Sequence, residues 1–566
     1  MKRILGVGLN DGAVPKKAES RSLLSDIERE FLAAGEYELS PTPREKIYIQ
    51  RFYLYTNITK PSEKIYLSYS NISADNKSIR PSYIIPMLMN MFPKCKPATR
   101  VSGGLDSIYN IYELKMRLCD LMRSYVEGIL SDDEENELFK CMDIVRCAGN
   151  DGHKAFIEAI IEAGFIKYED KKLDAIVAGI LYGEKLSASI SRMETFTNCA
   201  YSYFLKYGLK LKEKEEYGFE AVDAGNIFHD VLQSIGMSLQ NAGLLWADVD
   251  KNMVSELIDK AMLDASTKQG GILFENKSNT YIYKCMKKAM NRAVNTIGYQ
   301  LGEGRFKIDE LEIKFDRTET LDEVNLAYDK QEKMLVNGRI DRLDTCETDD
   351  RVYVKVTDYK STGKAVKLSE VYDGHKMQLV VYLGEGMELA KKKYPGKEVV
   401  PGAMFYYGLD EEEIKADSVL SEDDIETEIR KSYKNTGYVN SEGAAIRLLD
   451  ENIEENKSSI IIPVSYNKDE SISKTSKVLK VDELKLLVDY TNYKLRNIGN
   501  DIITGTKTIN PVSKGNGRDS CTFCAYRNAC SYEKRIDGYE MGKETQLNDE
   551  EVIMLMREKL KEEEEG

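Results

Sequence analysis

The sequence reads as an α/β protein. An N-terminal α/β segment leads through a helical stretch into a mixed-sheet core, and four cysteines staple the periphery of that core. Two observations carry this reading. Between residues 301 and 410 the sequence sets apolar strand-like runs at Phe306–Phe315, Lys333–Asp344, Val352–Tyr359 and Val400–Tyr407 around one long helical run at Ser369–Tyr394. With the preceding helices this makes an α-β-β-β-α-β order, the pattern of a mixed sheet covered by helices. The second observation is CTFCAYRNAC near the C-terminus, where Cys521, Cys524 and Cys530 crowd into ten residues of a chain with 10 cysteines in all.

Three thiols spaced this way converge on one soft metal centre, because a two-residue gap lets a tight turn aim two sulfurs at one point. The local sequence offers no fourth ligand. Cys199, in SRMETFTNCAYSYFLKYGLKL, is the best distant candidate. Four thiolates serve zinc and iron–sulfur alike, so spacing leaves the metal open. Cys95, Cys119, Cys141, Cys147, Cys285 and Cys346 are scattered and read as small buried hydrophobes.

Between the cysteines lie three chemically suggestive runs: Gly225-Asn226-Ile227-Phe228-His229 at a helix start, Gly338-Arg339-Ile340-Asp341-Arg342 in a strand, and Val354–Lys360 (VKVTDYK) ending the next. In a strand, residues i and i+2 share a face, so Asp358 and Lys360 project side by side. A short polar connection, Thr345–Arg351, suits pairing of the two strands. One carboxylate from each strand plus an ammonium makes a site for a hard divalent cation and an attacking water. Each run also has a plain structural reading: Asp341 pairing with an adjacent arginine, Asp358 and Lys360 on a solvated face, His229 as a capping or core histidine. Their joint occurrence, in this order, favours the site.

In that order GNIFH, GRIDR, DYK and Gln378–Tyr382 (QLVVY) resemble the RecB-type branch of the PD-(D/E)XK nucleases. One upstream cysteine with three downstream narrows the resemblance to the iron–sulfur nucleases, and within them to the C-terminal half of the AddB family of helicase–nuclease subunits. The resemblance implies that His229, Asp341 and Asp358 bind Mg²⁺. Lys360 would activate water and stabilise charge on the phosphate, with Gln378 and Tyr382 completing the pocket. It also implies a [4Fe–4S] cluster on Cys199, Cys521, Cys524 and Cys530, DNA as substrate, an AddA-type motor subunit as heterodimer partner, and a role as exonuclease in double-strand-break repair by recombination. The rival readings are a catalytically degenerate DNA-binding scaffold and a free-standing iron–sulfur nuclease.

Residues 1–93 resemble the end of the second motor domain of superfamily 1 helicases, with strands at Arg3–Leu9 and Ile65–Tyr69 and helices at Leu23–Ala34 and Gln50–Ile58. Within NITKP, Lys60 stands where that resemblance expects an arginine, and lysine lacks the planar fork that grips phosphate bidentately. No phosphate-cradling G-x-x-x-x-G-K-[ST] occurs, so no ATP site is expected. The expected organisation is a helicase-like remnant over 1–93, a helical spacer over 94–186, a nuclease domain over 187–540 with a polar insertion at 411–480, and a charged tail over 541–566. Relative to the AddB family the chain is expected to be truncated, starting within the helicase-like domain.

Composition bounds the remaining possibilities. A chain of 566 residues exceeds one core and suggests three or four domains. Hydrophobic residues at 42% and charged residues at 31% describe an ordinary globular protein. No apolar run reaches the roughly 20 residues of a membrane span, and MKRILGVGLNDG lacks the apolar core of a signal peptide. Unpaired cysteine usage suggests a reducing cytoplasm. A net charge of −15 excludes nucleic-acid binding through bulk charge, so DNA contact needs a local basic channel or a partner subunit. Tyr201–Lys214 (YSYFLKYGLKLKEK) offers lysines for such a channel, while its aromatics read as one face of an amphipathic helix.

Overall fold

A computed structural model describes residues 2–16, 25–33, 35, 40–73, 77–98, 105, 108–148, 151–183, 185–214, 217–325, 330–361, 365–409, 420–514 and 518–565. They fall into two compact units, residues 1–160 and 161–566. Among the described residues no helix is long and apolar enough to cross a membrane.

The first unit opens with a parallel pair, Arg3–Gly6 beside Lys64–Leu67. The intervening helix, Pro43–Thr59, starts where Thr42 and Glu45 satisfy each other's backbone N–H groups and a proline occupies the first turn. It begins seven residues before the expected Gln50, because the capping signal lies upstream of the apolar run. Lys60 is its C-cap residue. Of the expected Leu23–Ala34 helix, Asp26–Ala33 is helical, and residues 23, 24 and 34 lie outside the described residues. Further on, the acidic DDEENE run opens the helix Asp132–Cys147 behind a Ser131–Glu134 capping box, where negative charge favours the N-terminal dipole. That helix packs on Ile111–Val126 through Leu118, Leu121, Leu138 and Cys141, and a two-pronged Arg117–Glu137 pair borders the contact at 3.0 and 2.8 Å.

The second unit is built on a seven-stranded mixed sheet. Its spine is Lys330–Glu347, which pairs antiparallel with Lys307–Asn325 along one edge. Its other edge is shared: Lys185–Ser189 runs parallel along residues 333–337, and Arg351–Lys360 runs antiparallel along 342–347. GRIDR therefore lies where the sheet forks. Arg351–Lys360 and its parallel neighbour Glu398–Gly408 are buried along nearly their full length, which explains their near-continuous apolar sequence. Pro401 survives in that central position because the register shifts beside it, between Val354 and Lys355.

Helices Gln378–Lys393 and Val481–Ile503 cover one face of the sheet, in a core that includes Leu343, Val356, Leu383 and Leu487. A second core joins helices Ala221–Ala242, Lys251–Lys268 and Lys277–Gly302 to Tyr359 and Tyr407. The polar insertion expected at 411–480 departs from its reading. Its first residues, to 419, lie outside the described residues, but Thr436–Asn440 and Val478–Leu479 extend the sheet. Around them Ile446, Leu449, Ile461 and Val464 form a third core. Short strands and single apolar residues carry too little periodicity to be seen in sequence. The expected charged tail also differs: Asp549–Glu565 is a helix that buries Val552, Ile553 and Met556 against the main core, leaving its glutamates in solvent. Helix Ala175–Tyr182, placed in the spacer by sequence, packs on Val481–Ile503. Of the six scattered cysteines only Cys141 and Cys346 are buried; Cys119 is half-buried, and Cys95, Cys147 and Cys285 are exposed because they fall on solvent-facing positions.

One charged group sits wholly inside. Asp344 is fully buried, taking three contacts of 2.6 to 3.0 Å from Arg342 and a fourth at 2.7 Å from Lys355 on the facing strand. Burial alone would raise the Asp344 pKa, but the two cations hold it below its ordinary value. Truncating the shared anion would strand two buried cations. Asp344→Ala is expected to cost about 3–5 kcal/mol in denaturant unfolding, far more than removal of an exposed pair such as Lys391–Glu388.

Candidate active site

The fork in the sheet gathers the chemistry. Asp341 leaves the spine strand just before its pairing with Arg351–Lys360 begins at Arg342. Its Oδ2 accepts a 2.8 Å hydrogen bond from the backbone N–H of Tyr359, which ties it to the end of the neighbouring strand. Asp358 and Lys360 close that strand on one face, with Lys360 Nζ 2.5 Å from Asp358 Oδ2. Helix Ala221–Ala242 brings His229 over the fork: Ile227 and Phe228 anchor it in the second core, and the imidazole meets Tyr359 edge-on. His229 Nδ1 is 3.5 Å from Asp341 Oδ1.

A residue that the sequence did not flag completes the group. Leu311 pairs with Arg342 and Ile313 with Ile340, which leaves Glu312 opposite Asp341. Glu312 takes a left-handed backbone, φ 53°, and its Oε1 lies 3.1 Å from His229 Nδ1 while Oε2 meets Arg339 Nε at 2.7 Å. His229, Glu312 and Asp341 each offer a ligand atom, all within 4.8 Å of one another. Asp358 is not in that trio; it borders the trio and engages Lys360 instead. Arg342 pairs with Asp344, so the structural reading in which Asp341 merely pairs with a neighbouring arginine does not hold.

From the other side, Gln378 begins helix Gln378–Lys393, accepts from Lys360 Nζ at 3.0 Å through Oε1, and donates through Nε2 to Tyr382 Oη at 2.8 Å. Lys360 is thus held by Asp358 and Gln378, with the Tyr406 ring 5.4 Å from its ammonium. Gly338 is required here, since a Cβ would fall 2.6 Å from Phe315 and 3.3 Å from Tyr382, two rings that close the pocket.

Electrostatics mark the site as unfavourable without a cation. Burial and then the adjacent Asp358 charge push the Asp341 carboxyl up to about 8. Asp358 is raised as well, chiefly by burial, although Lys360 opposes the shift. The two carboxyls hydrogen-bond each other, which requires one of them to hold a proton. Burial alone would lower His229, but the Glu312 hydrogen bond and the charges of Asp341 and Glu312 leave it raised. Oxygen and imidazole donors crowded this way suit a hard divalent ion.

The four motif cysteines line a single cavity of about 290 Å³ together with Glu194, His375 and Arg527. Cys199 follows helix Ile190–Asn198, and the three others lie on turns after the Arg518–Asp519 strand. The Cys521 thiol is pushed up to about 12 by burial, by Asp519 and by the three other thiols, so the four sulfurs are close enough to repel as thiolates. Beside this cavity Arg192, Lys206, Lys210, Lys212, Tyr207 and Tyr526 line a cleft of about 880 Å³. The expected amphipathic reading of the aromatics holds for Tyr203, Phe204 and Leu205, which are buried.

With fold and site in place, the chain belongs to the PD-(D/E)XK nuclease superfamily, whose sequence profile matches residues 187–531. More particularly, it is 33% identical over 567 positions to the AddB subunit of the ATP-dependent helicase/deoxyribonuclease of Lachnoclostridium phytofermentans, covering 98% of this chain and 47% of that protein. The AddB subunits of Caldanaerobacter subterraneus subsp. tengcongensis and Clostridium botulinum are 28% and 30% identical, each over 98% of this chain and 48% of the relative. The chain spans about half the length of the curated relatives it matches.

The raised Asp341 pKa has a measurable consequence. In the metal-free folded protein Asp341 keeps its proton up to about pH 8, whereas the unfolded chain releases it near 4. The folded state therefore binds more protons in that window, and its stability falls as pH rises. Thermal melts of metal-free protein are expected to shift down from about pH 5 to about pH 9, with Asp341→Asn flattening the dependence and divalent cations restoring stability most at the alkaline end.

Proposed function

We propose that this chain carries the nuclease site of a helicase–nuclease and hydrolyses DNA phosphodiester bonds with Mg²⁺. The observation that carries the reading is the meeting of Asp341, Asp358 and Lys360 with His229 and Glu312 at the sheet fork. His229, Glu312 and Asp341 would hold the ion, with Asp358 at its border; their donor set and the repulsion among their carboxylates fit a divalent cation. A cation there supplies Lewis-acid stabilisation of phosphate charge and lowers the pKa of a nearby water. The protein's own residues do the rest. Lys360, steadied by Asp358 and Gln378, presents its ammonium to negative charge developing on the phosphate. Arg339, half-exposed beside Glu312, is positioned for a phosphate oxygen. Phe315 and Tyr382 wall off one side of the pocket.

The names of the relatives add the assembly: one half of a heterodimer with an AddA-type motor that unwinds DNA ends, in recombinational repair in the cytoplasm. With no Walker loop and with Lys60 in place of arginine, the chain itself is read as lacking a motor. Four thiols around one cavity fit a metal centre. A volume near 290 Å³ favours a multi-atom [4Fe–4S] cluster over a lone zinc ion, since one water in liquid occupies only about 30 Å³.

Cleavage of end-labelled DNA with Mg²⁺, with and without the motor subunit, tests the reading. Asp358→Ala and Asp341→Ala are expected to abolish cleavage, and Lys360→Ala to lower it about 10²–10³-fold while metal binding persists. Near-normal cleavage by Asp358→Ala would move the active site elsewhere. Anaerobically prepared protein is expected to carry about four irons per chain, and Cys199→Ala to lose them and destabilise the residues 187–531 region; stoichiometric zinc without iron would replace the cluster but keep a four-cysteine centre.

A further inference from the structure

Helix Gln378–Lys393 starts without a side chain of its own to cap it: Met377 occupies the N-cap and makes no side-chain bond. The missing acceptor comes from another element. Glu194 Oε1, on helix Ile190–Asn198, takes the backbone N–H of Met377 at 2.7 Å and that of Gln378 at 3.2 Å. One turn further along the same helix, Thr197 Oγ1 donates to the carbonyl of Gly374 at 2.7 Å. The Ile190–Asn198 helix thus pins both the approach to the Gln378 helix and its first turn. That first turn carries Gln378, whose side chain holds the Lys360 ammonium.

The same short helix faces the cysteines. Met193 and Phe196 bury it in the main core, it ends at Cys199, and Glu194 is the one carboxylate among the residues lining the cysteine cavity. A carboxylate placed here satisfies two N–H groups that have no intrahelical partner and complements the positive end of the helix dipole. Its burial raises the carboxyl to about 7, the two backbone N–H groups and Lys360 opposing that shift.

We propose that Glu194 is a positioning residue for hydrolysis: by capping the Gln378 helix it fixes Gln378, and through it Lys360, and it ties that geometry to the helix that delivers Cys199 to the cysteine centre. The inference rests on the nuclease reading given above. It makes the cysteine centre a support for the reacting groups as well as a staple of the chain, because one rigid turn of helix separates Glu194 from Cys199.

The test uses the full chain with its motor partner, Mg²⁺ and end-labelled DNA. Glu194→Ala is expected to lower kcat about tenfold or more, since small displacements of a positioned group cost rate steeply. KM for DNA, half-saturating Mg²⁺ and cysteine-bound metal should all stay within about twofold, because none of their ligands is touched. Glu194→Gln keeps a carbonyl acceptor and is expected within about threefold of wild type. Amide exchange at Met377 and Gln378, read without any turnover, should quicken in Glu194→Ala alone. If Glu194→Ala does not fold, Glu194→Asp decides, as its shorter reach should still lower kcat. Wild-type kcat and unchanged exchange in Glu194→Ala, or wild-type kcat in Glu194→Asp, would overturn the proposal, as would parallel loss of cysteine-bound metal. An inactive wild-type chain would instead remove the nuclease reading and leave the exchange result to judge the cap.

Discussion

Two carboxyls, Asp341 and Asp358, are buried within hydrogen-bonding reach of each other, and much of the second unit can be understood from that arrangement. Two neighbouring buried charges of one sign are unfavourable in a low-dielectric interior, so the fold surrounds them with compensating groups from every direction. Tyr359 donates its backbone N–H to Asp341, Lys360 faces Asp358, and His229 approaches from a helix of the second core. Glu312 adds a third carboxylate to this crowd. The forked sheet is what makes the convergence possible, because Asp341 sits where the spine strand exchanges one neighbour for another.

A second buried charge group shows the opposite balance. Asp344 has two cations for one anion and no space around it, in keeping with a structural role that locks the spine strand to Arg351–Lys360. Asp341 has an excess of anions beside a pocket. The two aspartates stand three residues apart in one strand, and only their surroundings separate a structural charge from a chemical one.

The helices that frame the site serve more than one contact each. Gln378–Lys393 lays Leu379, Val380 and Leu383 on the sheet and turns Gln378 and Tyr382 toward Lys360. Ile190–Asn198 reaches both that helix and the cysteine cavity. Sharing of this kind couples packing to geometry, since neither helix can shift without moving a polar group in the pocket.

From the sequence alone came the α/β class, the strands and helix of the core, the four cysteines, and the grouping of His229, Asp341, Asp358, Lys360, Gln378 and Tyr382. These were legible because alternation, short local spacing and rare residue types survive in one dimension. Glu312 was not, since in LEIKF it looks like any polar residue on the outer face of a strand. Its partnership with Asp341 is set by the register between two strands and by a left-handed backbone at one residue. Glu194 was hidden for the same reason, 183 positions from the amide it caps. The strands at Thr436–Asn440 and Val478–Leu479 and the buried side of the last helix escaped as well, because their apolar residues are too few to show a period until a sheet edge and a neighbouring helix receive them. Sequence determined which groups are available and roughly where each element lies. The tertiary structure decided which of them meet, because hydrogen-bond register and helix placement depend on contacts between segments that no local pattern records.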